Sequence, residues 1–505
     1  MNLSKTSYCK GIQCQKILWL ERHKRELRDD SMLNLQILES GTRVGDLAMG
    51  YFGDYSEVPY SEVPYSEDKS LMIAETKRLL KARTKIICEA SFSFDGNFCG
   101  VDILRVFDGY VEFIEVKSST EIKQIYFDDI AYQYYVLSSS GLNVTKVSIM
   151  HIDNSYERQG ALDLKGLFVV RDCTEKVLSM QKDVVANIGR FREYVKEKDE
   201  PEMEIGGQCS DPYACLYYAY CWRHIPENNI FEISGQTLRF NKKLALYRRG
   251  IVSFEQLLQS GEDVSDSTRL QVESTVYKLP PAVDKEAIRA FLDTLRWPLY
   301  YLDFESFQEA IPPYTGLRPY AQVPFQYSLH IQKGPGGKTE HREFLAEEGT
   351  DPRRFIAERL CSDIPENVCI LAYNMSYEKG RIRALSDFIS ASSPDLARHL
   401  MNIHDNFRDL MQPFRSRSYY SSELGGSYSI KQVLPALFPD DPELDYNALD
   451  LVHDGGEAQL AYAQLCVQSP EERQRTRTAL LAYCRLDTLA MVKILEKLRE
   501  ITINL

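Results

Sequence analysis

A two-part α/β architecture is predicted by three observations. Strand-like runs at residues 85–94, 100–107 and 110–116 are followed by helical periodicity over about 127–138. A second alternation of strand and helix opens after Trp297-Pro298. The 505 residues are about three times the usual single-domain prior of roughly 150, so two or three compact units are expected.

Composition supports ordinary globular folding, with 44% hydrophobic and 26% charged residues. No apolar run approaches the ~18–20 residues of a membrane span. The start, Met1-Asn2-Leu3-Ser4-Lys5, lacks the apolar stretch of a secretory leader, so a cytoplasmic setting is expected. In that setting the twelve cysteines favour metal or cluster ligation over disulfides wherever they group. The net charge of −13 argues against a nonspecific nucleic-acid coat protein. It leaves a cleft enzyme open, because net charge governs steering and says little about a site's interior.

Three regions separate along the chain. Residues 1–224 begin with amphipathic helical sequence and continue into the three strand runs and the helix. Within them, Tyr55-Ser-Glu-Val-Pro59 recurs as Tyr60-Ser-Glu-Val-Pro64 and restarts at Tyr65, which suggests an extended exposed loop. Residues 225–297 carry helical runs at 243–249 and 254–259 and read as a helical linker. Their turn, Arg248-Arg249-Gly250-Ile251, offers a hairpin contact to a phosphate backbone as the alternative to a plain spacer. Residues 298–505 show a strand at 299–304, a helix near 351–361, a strand at 368–373 and a helix at 378–389.

The strand Leu299-Tyr-Tyr-Leu-Asp303-Phe-Glu305 places two carboxylates on one face by its period of two. Burying like charges together is costly unless a cation lies between them. Further acids arrive on other elements. Asn374-Met-Ser-Tyr377-Glu378 follows the second strand into a helix, and Tyr483-Cys-Arg-Leu-Asp487 sets a tyrosine and an acid four residues apart on another. This pattern resembles the DnaQ-like DEDD exonucleases of the tyrosine subtype, whose motifs are Asp-x-Glu, Asn-x-x-(Phe/Tyr)-Asp and Tyr-x-x-x-Asp. The stretch Gly425-Gly-Ser-Tyr-Ser-Ile-Lys431 resembles that family's Ser-Leu-Lys element.

The resemblance implies a ribonuclease H-like fold over 298–505. It also implies Mg²⁺ or Mn²⁺ held by Asp303, Glu305, Glu378 and Asp487, with Tyr483 orienting the attacking water of a 3′–5′ exonuclease. Glu378 departs from the family's Asp, and its extra methylene moves the carboxylate by about 1.5 Å. Asp409 is a reserve ligand, read as structural. Arg381, Arg383, Arg415, Arg417 and Lys431 are candidate phosphate contacts or solvated surface charges.

A second constellation lies upstream. Asp102, in Gly100-Val-Asp102-Ile-Leu, and Glu115-Val-Lys117 fall on neighbouring strands joined by Asp108-Gly109, a hairpin signal. Two carboxylates can hold a divalent ion while a lysine offsets developing phosphate charge. With Glu89 before them and Asp128-Asp-Ile-Ala-Tyr-Gln133-Tyr134 after, the set resembles the PD-(D/E)XK nucleases of the RecB-like branch. The resemblance implies a restriction-endonuclease-like fold for 1–224, with Gln133 helping to close the site. Asp46, in Gly45-Asp46-Leu-Ala, stands where many relatives carry a metal-binding histidine.

Cys209-x5-Cys215-x5-Cys221, with Cys14 far upstream, resembles the iron-sulfur members of that branch. It implies a [4Fe–4S] cluster, with zinc as the alternative and Cys9 as a substitute for Cys14. The two resemblances together match a bacterial family of unassigned role that joins a RecB-like module to a DnaQ-like one. They imply a metal-dependent nuclease acting on nucleic acid, DNA ahead of RNA, in repair, defence or CRISPR-related processing, and no membrane role. The competing class is a nucleic-acid-binding adaptor with degenerate sites. An iron-sulfur redox protein would account for the cysteines and none of the carboxylates.

Overall fold

The computed structural model describes residues 3–33, 35–59, 69–234 and 238–503. It is a mixed α/β protein of two compact units. The first comprises Met1–His224 with Glu309–Ala321, and the second Ile225–Gln308 with Gln322–Leu505.

The sheet of the first unit contains β1 (Leu3–Ser4), β2 (Ser56–Glu57), β3 (Ile86–Phe94), β4 (Asn97–Val106), β5 (Val111–Lys117), β6 (Val144–Ile152) and β7 (Phe168–Asp172). Its order is β2-β3-β4-β5-β6-β7, with β1 added beside β4. β3, β4 and β5 form an antiparallel meander, and β5 and β6 run parallel because the Gln124–Ser139 helix carries the chain across between them. β4 starts earlier than the sequence suggests. Asp95 and Gly96 turn at φ 46° and 71°, which lets Asn97–Cys99 pair back on Phe92–Phe94.

Side chains divide between two cores. Ile87, Val101, Leu104 and Phe113 pack with Ile130, Tyr132 and Val136 of the Gln124–Ser139 helix. Cys88, Ile103, Ile114 and Met150 pack on the other face with Val44 and Ala48 of the Leu35–Met49 helix. Ala310, from the returning segment, joins that second core. The first proline-containing repeat is not an exposed loop: Ser56–Glu57 pairs parallel with β3, and Val58 is buried. The repeats from Tyr60 and Tyr65 lie outside the described residues.

The second unit includes β8 (Ala282–Val283), β9 (Leu299–Phe307), β10 (Val323–Gln332), β11 (Thr339–Leu345), β12 (Cys369–Ala372), β13 (Phe407–Asp409) and β14 (Tyr419–Tyr420). Five of these form a sheet of order β11-β10-β9-β12-β13. β10 is antiparallel to both β9 and β11, while β12 is parallel to β9 and β13 to β12. On β9, Tyr300, Leu302 and Phe304 enter a core with Ile356, Leu360, Ile382 and Leu400 from three helices. The alternate residues, Asp303 and Glu305 among them, therefore face away from that core.

Residues 225–297, expected as a linker, group with the second unit and have an apolar centre of their own, including Ile230, Leu246, Phe254, Leu257 and Val272. β8 pairs with β14, and Gln271 donates to the Gly425 carbonyl at 3.1 Å. Gly250, at φ 78°, ends the Phe240–Arg248 helix, and Arg249 pairs with Glu262 at 2.5 Å, so this turn is built as a helix stop. Among the described residues no helix is long and apolar enough to cross a membrane.

Candidate metal centres

Three elements of the second unit deliver the acids singled out in its sequence. β9 runs on to Phe307, so Asp303 and Glu305 sit within the strand instead of at its end. Glu378 lies in the first turn of the Ser376–Ile389 helix, directly after β12. Tyr483 and Asp487 are one turn apart on the Pro470–Ile503 helix, and both are buried. That helix is anchored beside β10 by Thr488, whose hydroxyl lies 2.6 Å from Ser328 Oγ and 2.8 Å from His330 Nδ1.

The electrostatics of this cluster are those of uncompensated negative charge. Burial, then Asp487, Glu378 and Glu305, push the Asp303 carboxyl well above its usual range. Glu305 is raised well above its own by burial and Asp487, against an opposing effect of Lys431. Burial and Asp409 push Glu378 up to about 8, although its own backbone N–H at the helix start acts the other way. Asp487 rises to about 6 through burial, moderated by a hydrogen bond from Tyr446 and by Lys431. Glu378 is 2% exposed, and its Oε2 has no hydrogen-bond partner. Acids so placed cannot all ionise without a nearby cation. An oxygen-rich set of this kind suits a hard divalent ion.

Two participants escaped the sequence reading. Tyr446, in a short helical turn, donates to Asp487 Oδ1 at 2.6 Å. Cys484 places Sγ 3.8 Å from Asp303 Oδ2, and one ligand atom from each of Asp303, Glu305 and Cys484 lies within 4.8 Å of the others. Asp409, the reserve ligand, has its Oδ1 accepting the backbone N–H groups of Asn374, which is held at φ 70°, and of Met411.

The candidate phosphate contacts have protein partners. Arg381 donates to Gln322, Arg383 lies 3.5 Å from His404, Arg415 lies 3.8 Å from Asp409, and Arg417 donates to Ser234 at 3.0 Å. Lys431 donates to the His453 carbonyl at 2.7 Å, with Nζ 5.2 Å from the Tyr483 ring centre.

In the first unit, β5 brings Glu115 and Lys117 to one place, 2.8 Å apart. Lys117 also donates to Asp129 at 2.7 Å, and Gln133 Nε2 bridges Glu115 Oε2 at 2.7 Å and Asp129 Oδ1 at 2.9 Å. Asp129 and Gln133 are four residues apart on one helix, a spacing visible in the sequence. Lys5 is not foreshadowed: it comes from the first helix, Lys5–Gln13, and reaches Glu115 at 2.7 Å and Asp102 at 3.9 Å. Asp102 Oδ2 accepts the Val116 backbone N–H at 2.6 Å.

Glu89 sits within β3 at φ 56°, a left-handed conformation that costs a non-glycine residue about 1–3 kcal/mol. Burial and Asp102 push its carboxyl up to about 8, and burial, Asp102 and Asp129 push Glu115 up to about 7. For Asp129 burial acts upward, yet Lys117 and Lys5 hold the carboxyl below its usual range. Asp46 stands apart as a correction to expectation. Its helix turns Val44 and Ala48 into the core, so the intervening Asp46 is exposed and does not join the cluster.

Cys14, Cys209, Cys215 and Cys221 line one small cavity with Ile17 and Leu20. Burial raises the Cys14, Cys215 and Cys221 thiols, Cys215 to about 11, and neighbouring cysteines add to each shift. Cys9 is elsewhere, packed against the core among groups that include Asp129 and Lys117.

Residues 300–429 match a family described as Domain of unknown function (DUF2779). That span contains Asp303, Glu305 and Glu378 and ends before Tyr446, Tyr483 and Asp487. No curated protein and no solved structure matches the chain.

Proposed function

We propose that this protein is a metal-dependent nuclease whose main activity is 3′–5′ exonucleolytic hydrolysis at Asp303, Glu305, Glu378 and Asp487. The observation that carries this reading is the convergence of four acids from three elements, three buried and Asp303 half-buried, with a carboxylate oxygen of Glu378 left without a partner. A central strand bearing the first two acids, with two parallel strands on one side and antiparallel pairing on the other, supports a ribonuclease H-like fold for this unit.

Asp303, Glu305, Glu378 and Asp487 would hold divalent metal, which would supply a hydroxide nucleophile and stabilise the leaving oxygen. Asp303 and Glu305 present their carboxylates from a rigid strand, and Tyr446 fixes the rotamer of Asp487. Burial and Asp487 raise the Tyr483 phenol above its ordinary range, so it remains protonated and can orient a water beside Asp487. Glu378 reaches the cluster from the first turn of a helix.

The test uses labelled single strands with free 3′ ends. The wild type releases nucleoside monophosphates with Mg²⁺ or Mn²⁺, with DNA preferred to RNA, and Asp303→Ala with Asp487→Ala abolishes release while the protein stays folded. Undiminished release by that double variant, with Lys117 also replaced, sinks the assignment. A wild type that binds strands but cleaves none, whatever the metal, is instead the adaptor with degenerate sites.

A second nuclease site of the PD-(D/E)XK type is supported by the Glu89, Asp102, Glu115, Asp129, Lys117 and Gln133 cluster on an antiparallel meander followed by a helix crossover. The four cysteines around one cavity fit a structural [4Fe–4S] cluster, zinc being the alternative. Anaerobically purified protein is then brown, with roughly four iron atoms per chain. Stoichiometric zinc without iron rejects the cluster.

A further inference from the structure

The acid site of the second unit contains a side chain that the two-ion scheme does not use. Cys484 is fully buried on the Pro470–Ile503 helix, between Tyr483 and the acid Asp487 one turn on. Its Sγ lies 3.8 Å from Asp303 Oδ2. With bonds of about 2.3 Å to sulfur and 2.0 Å to oxygen, one ion joining those atoms subtends an angle of about 125°, an ordinary value for a four-coordinate site. One ligand atom from each of Asp303, Glu305 and Cys484 lies within 4.8 Å of the others, so side-chain rotation would have to bring the wider pairs to the roughly 3.3–3.5 Å spacing of neighbouring ligands on a four-coordinate ion. An independent sign that the cluster lacks a ligand is Glu378, whose partnerless Oε2 is buried and whose charge acts on both Asp303 and Glu305.

We propose that Cys484 is the third protein ligand of an ion held by Asp303 and Glu305, and that its sulfur makes this position select a thiophilic divalent ion, Zn²⁺ or Fe²⁺, over Mg²⁺. The inference rests on reading the cluster as a metal site and specifies which metal occupies one position in it. Coordination replaces the S–H bond with a metal–sulfur bond and releases one proton to solvent. Carboxylates alone favour Mg²⁺ or Mn²⁺, whereas one thiolate shifts the preference toward softer ions. Sequence spacing cannot show this, because Cys484 and Asp303 are distant in the chain and meet only through the packing of the helix on β9.

The experiment adds Co²⁺ to the anaerobically purified full chain and compares wild type, Cys484→Ser, Cys484→Ala, and a variant with Asp303→Asn and Glu305→Gln. Subtracting the spectrum of the last variant removes cobalt bound at other cysteines. The expected difference spectrum contains a thiolate-to-cobalt charge-transfer band that both Cys484 variants lack. Zn²⁺ affinity falls at least tenfold in those variants, with Mg²⁺ affinity unchanged. If folded Cys484 variants keep the band and the Zn²⁺ affinity, the ligand role is overturned while the carboxylate site survives. If the Cys484 variants fail to unfold cooperatively, the difference between wild type and the Asp303, Glu305 variant decides: a charge-transfer band supports sulfur ligation, and its absence overturns it. Wild-type-like cobalt binding by the Asp303, Glu305 variant overturns both the inference and the metal-site reading beneath it.

Discussion

The two acid clusters solve the same electrostatic problem in different ways. In the first unit, Lys5 and Lys117 enter among Glu115, Asp102 and Asp129, and both oxygens of Glu115 accept hydrogen bonds. In the second, Lys431 is the lysine that opposes the charge of Glu305 and Asp487, and Glu378 keeps an oxygen without a partner. A buried charge cluster can be completed by the chain's own cations or left to be completed by something bound. The first cluster is partly completed by its own lysines, although Glu89 and Glu115 are still pushed up to about 8 and 7, and the second depends more on an added cation.

The strongest way to break that contrast is Lys117→Ala. It leaves Glu115 and Asp129 without a partly buried cation, so a loss of roughly 3 kcal/mol is expected in denaturant unfolding. Cleavage of circular or end-blocked nucleic acid should fall with it, while 3′-end trimming continues. If end-independent cleavage is unchanged on every substrate, the first unit is a binding platform.

Neutral replacements sharpen the contrast by their size. Glu378→Gln should raise the melting temperature of metal-free protein at pH 8, because it removes a charge that the fold disfavours. Glu115→Gln should raise it less, because burial pushes that carboxyl only to about 7 and two lysines already partner it. The pH dependence follows the same logic. Glu378 and Asp487 have folded values of about 8 and 6, above unfolded values near ~4. Their contribution is fully present below about pH 4 and is lost as pH rises toward 6 for Asp487 and 8 for Glu378. Metal-free wild type should therefore melt roughly 5 °C lower at pH 8 than at pH 5. Divalent metal should restore most of the loss, and Glu378→Gln should flatten the slope. A steeper slope in Glu378→Gln would contradict the assignment.

The smallest effect expected is that of Tyr446→Phe, which deletes one hydrogen bond to Asp487. A bond to a charged group contributes about 1.5–3 kcal/mol, so exonuclease turnover should fall about tenfold with little change in fold. A loss as large as that of Asp487→Ala would place Tyr446 in direct contact with the reacting groups.

Legibility in the sequence followed the range of the interaction. Asp303 with Glu305, and Tyr483 with Asp487, were readable because each pair shares one element whose period fixes its face. The Asp102 and Glu115 strands were readable because a tight hairpin joins them. Lys5, Tyr446 and Cys484 were not, since each reaches its partners through tertiary packing and none sits in a local pattern that marks it. Asp46 shows the opposite failure: a motif position suggested a ligand, but the helix's need to bury Val44 and Ala48 turned it outward. Residues 225–297 looked like a spacer because their helices are short. The β8–β14 pairing and the Gln271 bond that group them with the second unit come from residues more than a hundred positions away.

The link between β9 and β10 gives the protein an order of manufacture. Residues Glu309–Ala321 leave one unit to finish the other: Arg158 donates to the Pro312 and Pro313 carbonyls at 2.8 Å, Tyr320 donates to the Ser118 carbonyl, and Ala310 fills the core beneath the sheet. A ribosome making the chain therefore releases the whole seven-stranded sheet long before it releases that sheet's last buttress. Until about a hundred further residues have emerged, the nascent first unit carries an uncovered apolar patch around Ala310's place. A gene cut at the apparent boundary after His224 yields the same unfinished surface permanently, however well the remaining strands pair.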